Sequence, residues 1–136
     1  MKKLLIILLL ACSQYGNSQP WTLNENVISV RAYMSTEKDF KLLHEAPETD
    51  TKYGVLGYRD DSTGMDRVFF FEKGTCRMYV MFVPSGQPFY EIYRRVKATY
   101  QELTETHFVD YENGYMVEIK YMEKYSGAKF IFTKLK

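Results

Sequence analysis

"CRMYVMFV", Cys76 to Val83, is the stretch on which the fold turns. Aromatic, β-branched and sulfur-bearing residues with a single charge suit a strand better than a helix. Read with a period of two, Cys76, Met78, Val80 and Phe82 share one face, leaving Arg77, Tyr79, Met81 and Val83 on the other.

Upstream, "FKLLHE" (40–45), "YGVLGYR" (53–59) and "RVFFFE" (67–72) are further short runs of the same kind, divided by Pro, Gly and Asp. Glu72-Lys73-Gly74 makes a short connection, with glycine available for the left-handed position of a bulged hairpin. Downstream, "PSGQPFYEIYRRVKATYQEL" (84–103) switches to helical spacing. Pro88 suits a first turn, Glu91 complements the positive helix end, and Phe89, Ile92, Tyr93, Val96, Tyr100 and Leu103 form one apolar stripe.

Beyond that helix, "HFVDYE" (107–112), "YMVEIKYM" (115–122) and "AKFIFTKL" (128–135) read as strands, with Asn113-Gly114 as a type I′ hairpin signal. Tyr115, Val117, Ile119 and Tyr121 form the expected inner row, with Met116, Glu118, Lys120 and Met122 facing away. Near the start of the domain, Thr22-Leu23-Asn24-Glu25 reads as a capping box, followed by Leu23, Val27, Val30 and Met34 on one helix face.

The two halves rhyme. "VRAYMSTEKDF" (30–40) parallels "VKATYQELTETHF" (96–108), and "YGVLGYRDDSTGMDRVFF" (53–70) parallels "YMVEIKYMEKYSGAKFIF" (115–132). The expected architecture is α+β: two tandem α-β-β-β units with Cys76–Val83 as an added joining strand, giving an antiparallel sheet with two helices on one face. Tandem helix-plus-antiparallel-sheet units of this kind resemble the architecture of the β-lactamase-inhibitor protein family. The resemblance implies a fold and transfers no function.

Residues 1–11 have the order of a secretory signal: Lys2 and Lys3, an apolar run from Leu4 to Leu10, then small residues. The run is too short for a membrane-spanning helix, which needs about 20 apolar residues. Leu9-Leu10-Ala11-Cys12 resembles the lipobox of bacterial lipoproteins, which implies acylation of Cys12 and a polar tether over residues 12–20. Cleavage after Gly16-Asn17-Ser18 is the competing site and would leave Gln19 first. Residues 21–136 form one domain. The expected location is the outer membrane or periplasm, with a lipid anchor favoured over a soluble form.

Residues 1–20 hold two lysines and no acid, so 18 basic against 17 acidic residues becomes 16 against 17. A near-neutral domain with no basic run beyond Arg94-Arg95 implies neither a nucleic-acid partner nor attraction to an anionic membrane surface, leaving the lipid anchor as the only membrane link. Cys76 is the only thiol after Cys12, so no disulfide framework is expected, and beside Met78 and Val80 it reads as a buried hydrophobe.

No catalytic, cofactor or metal motif stands out. His44 and His107 have no ligands at metal spacing. "RDDSTGMDR" (59–67) lacks the spacing of a calcium loop and reads as a hairpin turn, although Asp61-Ser62-Thr63 resembles an O-glycosylation acceptor of exported bacterial proteins. No phosphate loop or nucleophile elbow occurs.

The aromatic content is the unusual feature, with twelve Tyr and nine Phe beside seven Met. A one-layer sheet with helices on one face leaves its other face in water, where Tyr79, Met81 and Arg77, with Tyr58 and Met116 nearby, would form a binding surface. The sequence therefore points to a non-catalytic exported domain without cofactor, recognising a protein or peptide through that face or an edge strand. The alternative is a carrier of a small amphipathic ligand in a Tyr- and Met-lined cavity.

Overall fold

The structure is a computed structural model and describes residues 22–124 and 126–136; the expected signal segment, Cys12 and the expected tether lie outside them. Among the described residues two helices, α1 (Val27–Thr36) and α2 (Gln87–Thr99), accompany eight strands: β1 (Phe40–Ala46), β2 (Gly54–Asp60), β3 (Met65–Glu72), β4 (Thr75–Pro84), β5 (Gln101–Thr104), β6 (His107–Asp110), β7 (Tyr115–Met122) and β8 (Gly127–Lys134). All pair antiparallel in one sheet of order β1-β2-β3-β4-β8-β7-β6-β5. Both helices pack on one face, so the α+β expectation holds.

Each half is a helix followed by a four-strand meander, and the halves join where β4 pairs with β8. The strand missing from the sequence reading is β5. Gln101–Thr104, read there as the tail of the second helix, leaves the helix at Tyr100, whose ψ of 150° is extended. Leu103, expected in the helix stripe, is consequently an exposed edge-strand residue. Glu91 lies beyond the first turn and accepts from Gln87 Nε2 instead.

The first helix also starts later than the capping box implies. Asn26 is the N-cap, its side chain accepting from the Ser29 N–H at 2.9 Å. Residues 24–25 pair with β4 instead: Asn24 N donates to Cys76 O and Cys76 N to Glu25 O, both at 2.8 Å. That ladder holds α1 over the first half of the sheet, where Val30 and Met34 enter the core.

The repeat is real in topology but shifted by one strand from the sequence rhyme. The β2–β3 loop corresponds to the β6–β7 loop, and both read Asp-x-x-x-Gly. In each the glycine N–H returns to the aspartate carbonyl at 2.8 Å, Gly64 to Asp60 and Gly114 to Asp110, with glycine φ of 73° and 74°. Each aspartate side chain also caps its own loop, accepting from the N–H of Ser62 at 2.9 Å and of Asn113 at 3.0 Å. Hydrogen bonds from Ser62 and Asn113 hold both carboxyls below the usual carboxylate range. Asn113-Gly114 is thus not a type I′ turn: of the two residues only Gly114 has positive φ, because the loop closes over four residues.

The type I′ signature belongs to the β3–β4 connection, where Lys73 (φ 51°) and Gly74 (φ 74°) are both left-handed and Glu72 pairs with Thr75. The Glu48 carboxylate accepts from both turn N–H groups, at 3.0 Å from Gly74. The bulge expected in that turn lies inside β4: Phe71 pairs with Cys76 and Phe70 with Met78, leaving Arg77 without a partner residue.

Gly114→Ala should destabilise the protein by about 1–2 kcal/mol, the cost of a left-handed backbone for a residue with a Cβ, since nothing lies within 4 Å of the added carbon. Asn113→Ala should lose only the Asp110 side-chain contact. Equal shifts of the urea midpoint for the two variants would contradict this turn geometry.

Candidate functional site

The Arg77 bulge reverses the alternation of β4, so Tyr79, Met81 and Val83 share the helix-covered face with Cys76. One row on that face runs through six strands: Leu56, Phe69, Tyr79, Phe132, Val117 and Phe108, all buried. Tyr79 is sandwiched, its ring 4.8 Å from Phe69 and 5.2 Å from Phe132 with interplanar angles of 7° and 21°. Its burial pushes the phenol pKa up. From α2, Phe89 packs against Phe130 and Tyr93 against Phe108.

Three of the five residues expected to bind a partner are therefore core residues. Tyr79, Met81 and Tyr58 are 8%, 4% and 7% exposed. Arg77 is exposed at the bulge, and Met116 lies half-buried on the opposite face. Cys76 is fully buried and its thiol is pushed up to about 12 by desolvation, so it is an inert core residue as expected.

The other face carries a different set. No described helix packs on it. Val68, Val80 and Ile131 form one row across β3, β4 and β8; Phe70, Met78, Thr133 and Met116 form the next. Val80 is buried yet stands apart from the core cluster between sheet and helices, and its apolar neighbours are half-buried. The third row is charged: Lys41, Arg59, Asp66, Phe82, Lys129 and Lys120. Arg59 holds Asp66 through two hydrogen bonds of 2.7 and 2.8 Å, and the Lys129 ammonium lies 5.4 Å from the Phe82 ring centre. A groove of about 360 Å³ opens along this row, bounded by Arg59, Asp66, Phe82, Pro84, Met122 and Lys129. Gly127 also lines it, and an added Cβ there would lie 2.5 Å from Val83 O, so close approach of β8 to β4 shapes the groove end.

Two further polar groupings occur. On the core face, Arg67 reaches Glu37 of the segment after α1 at 3.4 Å, Tyr33 donates to the same carboxylate at 2.7 Å, and the guanidinium stacks 4.3 Å from the Phe40 ring. This cluster ties α1 and β1 to β3. At the other end, His107 Nδ1 lies 3.0 Å from Thr106 Oγ1 and 3.2 Å from Thr104 Oγ1, with Nε2 3.8 Å from Glu118. Hydroxyl, imidazole and carboxylate stand in the order a nucleophile needs, but His107 does not line the groove beside Lys129. Among the described residues no cluster of His, Cys, Asp and Glu could hold a metal ion, and no helix is long and apolar enough to cross a membrane.

Neither a protein-family model, nor a curated protein, nor a solved structure matches the chain. The fold defines an α+β class with a tandem meander sheet.

Tyr79→Ala should cost about 3–5 kcal/mol of stability, as for other large aromatic truncations in a core, read by urea denaturation. A near-unchanged midpoint would return this ring to the surface.

Proposed function

We propose that this chain is an exported, non-catalytic binding domain, held to a membrane by lipid on Cys12, that recognises a protein or peptide through the sheet face no described helix covers. The observation that carries the reading is the patch of Val68, Phe70, Met78, Phe82 and Ile131, continuous over the three adjacent strands β3, β4 and β8 and framed by charge. Apolar centres with polar rims are the anatomy of recognition surfaces. The carrier alternative needs a cavity between sheet and helix, and the Tyr and Met side chains assigned to it fill the core instead. Surface recognition is the better supported of the two.

The anchor half of the proposal rests on the leader. Two acyl chains at Cys12 suffice for stable anchoring, because each buried methylene contributes about 0.8 kcal/mol. Mass spectrometry of the mature amino terminus should find Cys12 carrying diacylglycerol. A first residue of Gln19 without lipid mass would remove the anchor.

The recognition half is tested by comparing partners cross-linked in native membranes. Phe70→Ser with Met78→Ser should abolish capture of a partner that wild type retains, while Tyr90→Ser, on the exposed side of α2, leaves it intact. Equal capture by both variants would move recognition off this face.

A further inference from the structure

The charged row on the open face is unbalanced. It carries four cations, Lys41, Arg59, Lys129 and Lys120, against the single carboxylate of Asp66, in a chain whose formal net charge is only +1. Arg59 consumes that carboxylate in a two-bonded pair. Lys120 and Lys129 face each other directly across β7 and β8, an arrangement that like charges disfavour. Lys120 has partial relief from Glu118 at 3.6 Å, a carboxylate that His107 also approaches. Lys129 has no carboxylate within salt-bridge distance among the described residues and rests on the face of Phe82. The groove lies on the Lys129 side of this pair, with Phe82, Pro84 and Met122 as its apolar walls.

Resting on the reading of this face as the binding surface, we infer that its occupant is a peptide segment with carboxylates at one end and bulky apolar side chains along the rest. The carboxylates settle between Lys120 and Lys129 at the groove, offsetting the repulsion there. The apolar side chains lie over Val68, Val80 and Ile131, the row adjoining the charged one, and then over Phe70, Met78 and Met116, the row beyond it. A lipid surface fits less well: insertion needs apolar side chains that project, and those of this face are no more than half-exposed between their neighbours.

The test uses the full-length protein in mild detergent and three synthetic decapeptides that share alternating Leu, Phe and Ser and differ only in two end residues: Asp-Asp, Ser-Ser or Lys-Lys. Titration calorimetry at low salt should give the Asp-Asp peptide an affinity roughly tenfold above the Lys-Lys peptide, with the gap closing at about 0.5 M salt as the charges are screened. Lys120→Glu with Lys129→Glu should invert the order, and an unchanged thermal melt would show that the fold is intact. Equal affinity for all three peptides overturns the charge selection and leaves the open face standing as a binding surface. No binding of any peptide, or binding that survives Phe70→Ser with Met78→Ser, removes the reading beneath it as well. Lysine-dependent pelleting with phosphatidylglycerol vesicles, or a Phe82-dependent dimer in sedimentation, would overturn the peptide in favour of a membrane or a second copy.

Discussion

One extra residue in β4 governs the packing of the whole molecule. With Arg77 looped out of register, Tyr79 turns toward the helices and completes the stack between Phe69 and Phe132. That stack spans the seam between the halves, because Phe69 belongs to the first and Phe132 to the second. Burial of each such side chain contributes about 1.5–3 kcal/mol, so the seam is held by core packing as well as by the β4–β8 ladder. Without the bulge the same strand would send Met78, Val80 and Phe82 inward and leave the tyrosine in water. The face that remains uncovered owes its Met78 and Phe82 to the same residue.

The two halves use one plan with different interiors. Both bury two side chains four apart, Val30 and Met34 within α1, Val96 in α2 and Tyr100 at its C-cap, and both turn through an Asp-x-x-x-Gly loop. Three residues past the loop glycine, β3 carries Arg67 where β7 carries Val117. The first half therefore seats its helix partly through Glu37, Tyr33 and Phe40 around a guanidinium, the second through ring contacts of Phe89 with Phe130 and of Tyr93 with Phe108. Edge strands β1 and β5 each carry a bulge, at Leu43 and Leu103, which blunts the unpaired edges.

Strand positions and sheet class were legible because short aromatic runs between turn residues leave few alternatives, and both helices announce themselves by spacing. The facing of β4 was not legible. Alternation is counted from residue to residue, and a bulge adds one to the count without changing composition, so strict alternation from Cys76 sends Tyr79 and Met81 to a surface they do not occupy. In β3 the signal was present: Val68 and Phe70 alternate with Phe69 and Phe71 without interruption, and pairing them with β4 through the turn at Lys73 and Gly74 exposes the mismatch. β5 was hidden for a different reason. Tyr100 and Leu103 continue the helical spacing, and only the extended backbone at Tyr100 breaks it. The lysine pair of the open face could be found only once the β7–β8 register was known.

The strand order also has a kinetic consequence. Six of the seven ladders join strands that follow one another along the chain, and only β4 with β8 pairs across the intervening helix and three strands. Loop closure for the local hairpins is brief, so each meander can assemble on its own before the seam closes. Until that moment β4 and β8 are both unpaired on one side, rich in Val, Phe and Ile, and able to pair with the same strand of another chain. That interval, with both seam strands open, is when the chain is most exposed to aggregation.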